Sequence, residues 1–132
     1  MRRSAIRRSA IAVGLMAVAT CANAHEISES YSACLERAAG VTPAMQECIA
    51  AELTIQDKRL NTAYASLLNA IAEKRKTTQL RDVQRKWIAF RDANCAYYDD
   101  GSLGQAARLA SNECVLIATA ARAFELENLR PE

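Results

Sequence analysis

The chain has 132 residues, with 17 basic and 15 acidic side chains and one histidine, for a formal charge of +2 at pH 7. That positive charge belongs to the first 24 residues: without Arg2, Arg3, Arg7 and Arg8, 13 basic residues face 15 acidic ones in the remaining 108, a formal charge of −2. A mildly acidic chain of this size has room for one small core and gives no case for nucleic-acid binding or long disorder.

Residues 1–24 are predicted to be an export signal. The four arginines precede an apolar stretch from Ala10 to Ala19, and Ala22-Asn23-Ala24 offers the small-x-small site that signal peptidase accepts. The stretch is shorter than the roughly 20 residues a bilayer span needs, and no second candidate follows it. The paired arginines suggest twin-arginine export, but the residues after them match poorly, so general secretion is the reading. Cys21 suggests a lipoprotein, yet Thr20 before it is larger than the residue expected there, and the Ala-Asn-Ala site explains the same segment. His25 then begins the mature chain, and 25–132 is read as a single domain, periplasmic or secreted.

Four helices are predicted. The first runs from about Glu29 to Ala39 with Gly40 as its stop. Thr42 as N-cap and Pro43 in the first turn open the second, which continues to about Lys74, because Leu53, Leu60, Tyr64, Leu67 and Ile71 recur at helical spacing without an intervening Gly or Pro. Residues 74–78 break the apolar period and supply caps, so they read as a turn. The third helix spans about Thr78 to Tyr98 with Leu80, Val83, Trp87 and Phe90 along its seam. After Asp99-Asp100-Gly101, Ser102 and Gln105 form a capping box for a fourth helix that reaches about Leu129, with Ala107, Ala110, Cys114, Ile117, Ala121 and Phe124 inward. The fold class is therefore all-α: a small disulfide-stapled helical bundle built on a long antiparallel hairpin of the second and third helices.

Cys34, Cys48, Cys95 and Cys114 remain after the signal leaves, and an even set in an exported domain means disulfides. Zinc is the competing reading, but no C-x-x-C pair exists and the only histidine is His25 at the extreme terminus of the mature chain, where one ligand residue also makes copper binding a weak reading; no metal or cofactor is expected. Cys34–Cys48 and Cys95–Cys114 each close a local helix-loop-helix corner. In the hairpin register Cys95 sits near the level of residue 56, about 12 Å along the helix from Cys48, too far for a direct bond. The crossed alternative stays open.

The same register sets Tyr64 against Trp87 and Leu60 against Arg91, and extending the second helix's stripe back from Leu60 lands on Asp57. Asp57, Asn61, Gln84 and Arg91 are thus expected to form a buried or half-buried polar network that holds register, with Asp57 and Arg91 in salt-bridge or water-bridged reach. As a catalytic site the set lacks a second seam acid, an internal histidine and metal ligands, so no enzyme is expected. Tyr97, Tyr98, Asp99 and Asp100 put aromatic and acidic groups in one exposed loop, a candidate partner-binding element whose ordinary alternative is a solvated helix connection.

Two strings go further. Asp57, Leu60, Asn61 and Tyr64 at D-x-x-L-N-x-x-Y spacing, with Gln84, Trp87, Arg91, Asp92 and Cys95 at Q-x-x-W-x-x-x-R-D-x-x-C, resemble the LprI-type lysozyme-inhibitor family of small secreted helical proteins, over roughly Cys34 to Leu126. Cys114, Thr119, Arg122 and Leu126 repeat the C-x4-T-x2-R-x3-L arrangement near the end of similar sequences. The resemblance implies an exported helical domain with paired cysteines that binds a lysozyme and blocks its muramidase cleft by steric occlusion. It transfers no inhibitory residue. The alternative is a structural or protein-interaction module whose partner is another envelope protein, and a cell-wall hydrolase is the third class. An acidic, aromatic protruding loop would favour inhibition, since lysozymes are commonly cationic. An exposed apolar helix face would favour an assembly partner.

Overall fold

The computed structural model describes residues 27–131, so the predicted export signal and His25 lie outside the described residues. It contains α1 (Glu29–Ala38), α2 (Thr42–Ala70), α3 (Lys74–Ala96) and α4 (Gln105–Asn128), with no strand among the described residues. The all-α class and both cysteine pairings are as expected from the sequence.

Local chemistry explains most helix ends. Ser28 is extended and its hydroxyl accepts the Tyr31 N–H at 3.2 Å, satisfying one of the amides that the first turn of α1 leaves without a helical partner. At the other end Ala39 takes the left-handed conformation (φ 47°, ψ 39°) and Gly40 follows at φ 80°, which reverses the chain into α2. Pro43 occupies the first turn of α2, where a missing N–H leaves no bond unmade.

Three boundaries differ from the sequence reading. Thr42 does not cap α2 but is its first residue, and Val41 stands in the cap position with no side-chain bond. The break between α2 and α3 falls at residues 71–73, not 74–78. Thr77 and Thr78 do not cap; their hydroxyls donate back to the carbonyls of Glu73 (3.2 Å) and Lys74 (3.1 Å) from inside the first turns of α3. The capping box of Ser102 and Gln105 does not form either. The Ser102 N–H and hydroxyl both donate to Asp100 Oδ1 (2.8 and 2.7 Å), and Gly104 (φ 57°, ψ −126°) leads into α4.

The three long helices run up, down and up. Pro43 and Gln46 of α2 share a small cavity with Gln105 and Arg108 of α4, while Arg59 Nε donates to Glu127 Oε1 at 2.6 Å further along, so α2 and α4 are parallel. α3 returns between them in sequence, antiparallel to α4, to which Cys95–Cys114 ties it (Cα–Cα 5.5 Å). α1 lies antiparallel on the first half of α2 and is held there by Cys34–Cys48 (Cα–Cα 5.7 Å). Backbone approach is most extensive between α2 and α4, and α3 rests on α4 more than on α2.

The expected pairing of second and third helices as facing seams is therefore corrected. The buried face of α2 is Ile49, Glu52, Gln56, Leu60, Ala63 and Leu67, and α4 covers it with Leu116, Thr119, Ala120, Ala123 and Leu126. Ala120 and Ala123 have no exposed surface. Small side chains on facing positions let two helix axes approach closely, which large residues prevent. Consequently Val83, Phe90, Ile117 and Ala110, placed inward by the sequence reading, are exposed. The main apolar cluster joins Leu60, Ala63, Leu67, Leu80, Ala123 and Leu126, with Tyr64, Leu68, Ile71 and Trp87 packed against it.

Ala123→Leu should strain this contact. Overpacking of a close helix interface costs about 1–3 kcal/mol, and the loss will be read as a lower denaturant midpoint, with no such loss for Ala110→Leu on the exposed face.

Candidate functional site

Three polar assemblies stand out, and the first unites two of the sequence strings. Along the α3–α4 seam, above Cys95–Cys114, Arg91 Nη1 donates to Thr119 Oγ1 at 3.2 Å and Arg91 also pairs with Asp92 (2.8 Å). Arg122 Nε donates to Gln84 Oε1 at 3.0 Å and its Nη1 meets Glu125 at 2.7 Å. Both arginines lie over the Trp87 ring, their guanidinium carbons 5.1 Å (Arg91) and 5.8 Å (Arg122) from its centre. A desolvated guanidinium is stabilised by an aromatic face as well as by its hydrogen bonds. Gln84, Trp87, Arg91 and Cys95 thus interlock with Cys114, Thr119 and Arg122 as a register device. Gln84 is fully engaged at its oxygen, while its buried Nε2 has no hydrogen-bond partner among the described residues.

The polar network expected from the sequence is only half assembled. Gln84 is buried and Arg91 half-buried in this seam, but their partners are Arg122 and Thr119; Asp57 and Asn61 are exposed on α2, and no ion pair joins Asp57 to Arg91. The cause is the rotation of α2 toward α4, which places Gln56 inward and its neighbour Asp57 outward.

The second assembly is absent from the sequence reading. Glu52 is 2 % exposed, and its carboxylate accepts the Ser28 N–H at 3.0 Å, the Ser28 hydroxyl, and Gln56 Nε2 at 2.8 Å. Burial pushes its pKa up, but the hydrogen bonds from the Ser28 side chain, Gln56 and the Ser28 backbone outweigh burial and hold the carboxyl below its ordinary value. Glu52 therefore pins the start of α1 to α2. Tyr31 lies beside it with a buried hydroxyl that has no partner among the described residues; burial raises this phenol, and the charges of Glu113 and Glu52 raise it further. The signal for Glu52 and Gln56 was present: they continue the stripe Ile49, Leu60, Ala63, Leu67 at helical spacing, with a pair four residues apart.

The third assembly is the loop after Cys95. Tyr97 is 84 % exposed and Tyr98 50 %, their rings edge-on at 6.0 Å and 79°. Asp99 is exposed beside them, and Asp100 closes an Asx turn on Ser102 whose hydrogen bonds hold its carboxyl below the ordinary aspartate value. The sequence reading placed Tyr97, Tyr98, Asp99 and Asp100 here, and missed Leu103, 68 % exposed, and Phe90, 67 % exposed and two helical turns before Tyr97 on the same side of α3.

No helix among the described residues is long and apolar enough to cross a membrane. Two disulfides in a helical domain of this size define an extracytoplasmic class of protein. The chain belongs to the lysozyme inhibitor LprI family, whose model matches residues 32–126. The family is one of inhibitors, not of catalysts. Comparison with curated proteins and with solved structures found no match.

Arg122→Ala should lower stability by about 2 kcal/mol, the scale of losing hydrogen bonds to a charged group and leaving Gln84 without its partner. Asp57→Ala should stay within about 0.5 kcal/mol, as an exposed change does; chemical denaturation of both variants reads the contrast. Because the folded pKa of Glu52 lies below its unfolded value, its contribution is complete above the ordinary glutamate range and is lost as pH falls through the folded pKa. Thermal unfolding from pH 7 down to pH 3 should show a steep acid loss in the native protein and a shallower one in Glu52→Gln, which should start from a lower midpoint at pH 7.

Proposed function

We propose that this protein is exported, begins at His25 as a single domain over 25–132, and in the periplasm or outside the cell binds a lysozyme and occludes its muramidase cleft. Family membership supports the partner. The observation that supports the binding surface is the exposure of Tyr97, Leu103 and Phe90, the three most exposed large apolar side chains among the described residues, with Tyr97 and Leu103 in the same connection as the exposed carboxylates of Asp99 and Asp100. Exposed aromatics are the common anchors of protein interfaces, and acidic neighbours steer a cationic partner toward them. The Cys95–Cys114 bridge and the Asp100–Ser102 turn restrain the loop before contact, so less ordering entropy opposes binding. Inhibition on this reading is steric and needs no chemistry from the bound protein.

A second reading has its own observation. Val83, Ile88 and Phe90 leave α3 with 49 %, 40 % and 67 % exposure, and such a helix is suited to an envelope partner other than lysozyme.

The oxidised chain 25–132 should slow a lysozyme with one-to-one stoichiometry, and reduction of its disulfides should abolish the effect. Asp99→Lys, which spares the Asp100 turn, should lower the association rate and remove most of its salt dependence, since screening acts over about 8 Å at physiological ionic strength. Tyr97→Ala should weaken inhibition about thirtyfold, the size of an interface anchor. Unchanged inhibition in both variants would take the loop out of the mechanism, and no effect on any lysozyme class would favour the assembly partner.

A further inference from the structure

We infer that the groove between α2 and the C-terminal end of α4 is a binding site for a single-chain fatty carboxylate, independent of the loop that contacts lysozyme. The groove is open to solvent along its length and offers about 590 Å³, within the range of small-molecule sites. Its floor is Ala63, Leu67 and Leu126, all at or below 9 % exposure, and its walls are Ile55 and Leu129, each about half exposed. These walls are apolar surface that nothing else in the described chain covers.

The polar groups around the groove restrict what it takes. The Thr62 hydroxyl donates to the Lys58 carbonyl at 2.8 Å, and the Arg59 guanidinium is held by Glu127. Lys58 has no acidic partner among the described residues. The rim therefore offers one uncommitted positive charge beside an apolar trough, which matches a monoanionic head on an unbranched tail. From Ile55 to Ala70 the trough follows α2 for about 22 Å at 1.5 Å per residue, the length of one long acyl chain.

Leu129 and Pro131 also wall a second cavity of about 480 Å³, which shares Leu67 and carries Lys76 and Arg130 at its edge. No acid pairs with either cation among the described residues, and Glu125, which also lines this cavity, is taken up by Arg122; the second cavity is therefore the competing seat for an anion and is separated from the first by the test below.

Palmitate, hexadecanol and hexadecyltrimethylammonium, titrated below their micelle concentrations into the oxidised chain 25–132, test the assignment. Palmitate should bind one-to-one and more tightly than the alcohol, and the ammonium should bind weakest. Lys58→Glu should weaken palmitate by about fivefold or more, the scale of an exposed ion pair, and leave hexadecanol unchanged. Ser66→Phe, a change at an exposed lining position, should weaken both ligands with an unchanged melting temperature. Absence of saturable binding, or binding insensitive to both substitutions, would overturn the site. So would loss on Lys76→Glu without loss on Ser66→Phe, which would move the ligand to the second cavity. A dimer in sedimentation that Ser66→Phe converts to monomer would make the groove an interface between copies instead.

Discussion

The close approach of α2 and α4 is the constraint on which the rest of the molecule depends. It is made possible by alanines at Ala63, Ala120 and Ala123, where a longer side chain on either helix would hold the backbones apart. Because α4 takes the inner face of α2, α3 is displaced to the flank of α4 and approaches α2 less, with Leu80 and Trp87 reaching the cluster around Leu67 and Tyr64. The same displacement leaves Val83 and Phe90 uncovered and opens α3 to other molecules. Exposure on the outer helix is thus the counterpart of tight packing on the inner pair.

The two kinds of seam do different work. The α2–α4 contact is largely apolar and supplies the burial that favours the compact state. The α3–α4 contact is written in hydrogen bonds between Arg91 and Thr119 and between Gln84 and Arg122, with both cations over the Trp87 ring. Apolar contacts tolerate sliding by a turn, whereas a ladder of donors and acceptors does not, because every wrong register leaves a buried charge without a partner. Glu52 acts in the same way where α1 meets α2, with a carboxylate that takes its partner across the two helices from the Ser28 end of α1 and a further bond from Gln56.

Helix number, both cysteine pairs and the exposed loop were legible in the sequence, because each rests on local chemistry: helical periodicity, even cysteines at local corners, and a run of aspartates next to glycine. The partner of each helix was less legible. Leu60 and Leu67 belong both to the expected stripe and to the buried one, so hydropathy alone does not distinguish a face centred on Tyr64 from one centred on Ala63. Large residues dominate such a reading, and the alanines that decide the interface carry little weight in it. The short connection read at 74–78 also suggested that the second and third helices face each other, when a short connection shows only that they are sequential. Within the polar set, Gln84 and Arg91 were expected against Asp57 and Asn61 in the seam of the second and third helices, whereas their partners Arg122 and Thr119 lie on α4, a helix that was not part of that register.

The parallel arrangement of α2 and α4 has a kinetic side. Parallel helices cannot be neighbours through a short turn, so Leu60 and Ala123 come together only after α3 and the following loop have been traversed, a closure of roughly sixty residues whose entropy must be overcome before any of that burial is gained. A simple up-and-down bundle assembles from adjacent hairpins and folds on local contacts. Here the local hairpin of α3 and α4 is mostly polar, and the apolar core belongs to the distant pair. Oxidation of Cys95 and Cys114 early in folding would shorten the effective chain that the search must close, so the second bridge is as much a guide to the folding route as a support of the finished structure.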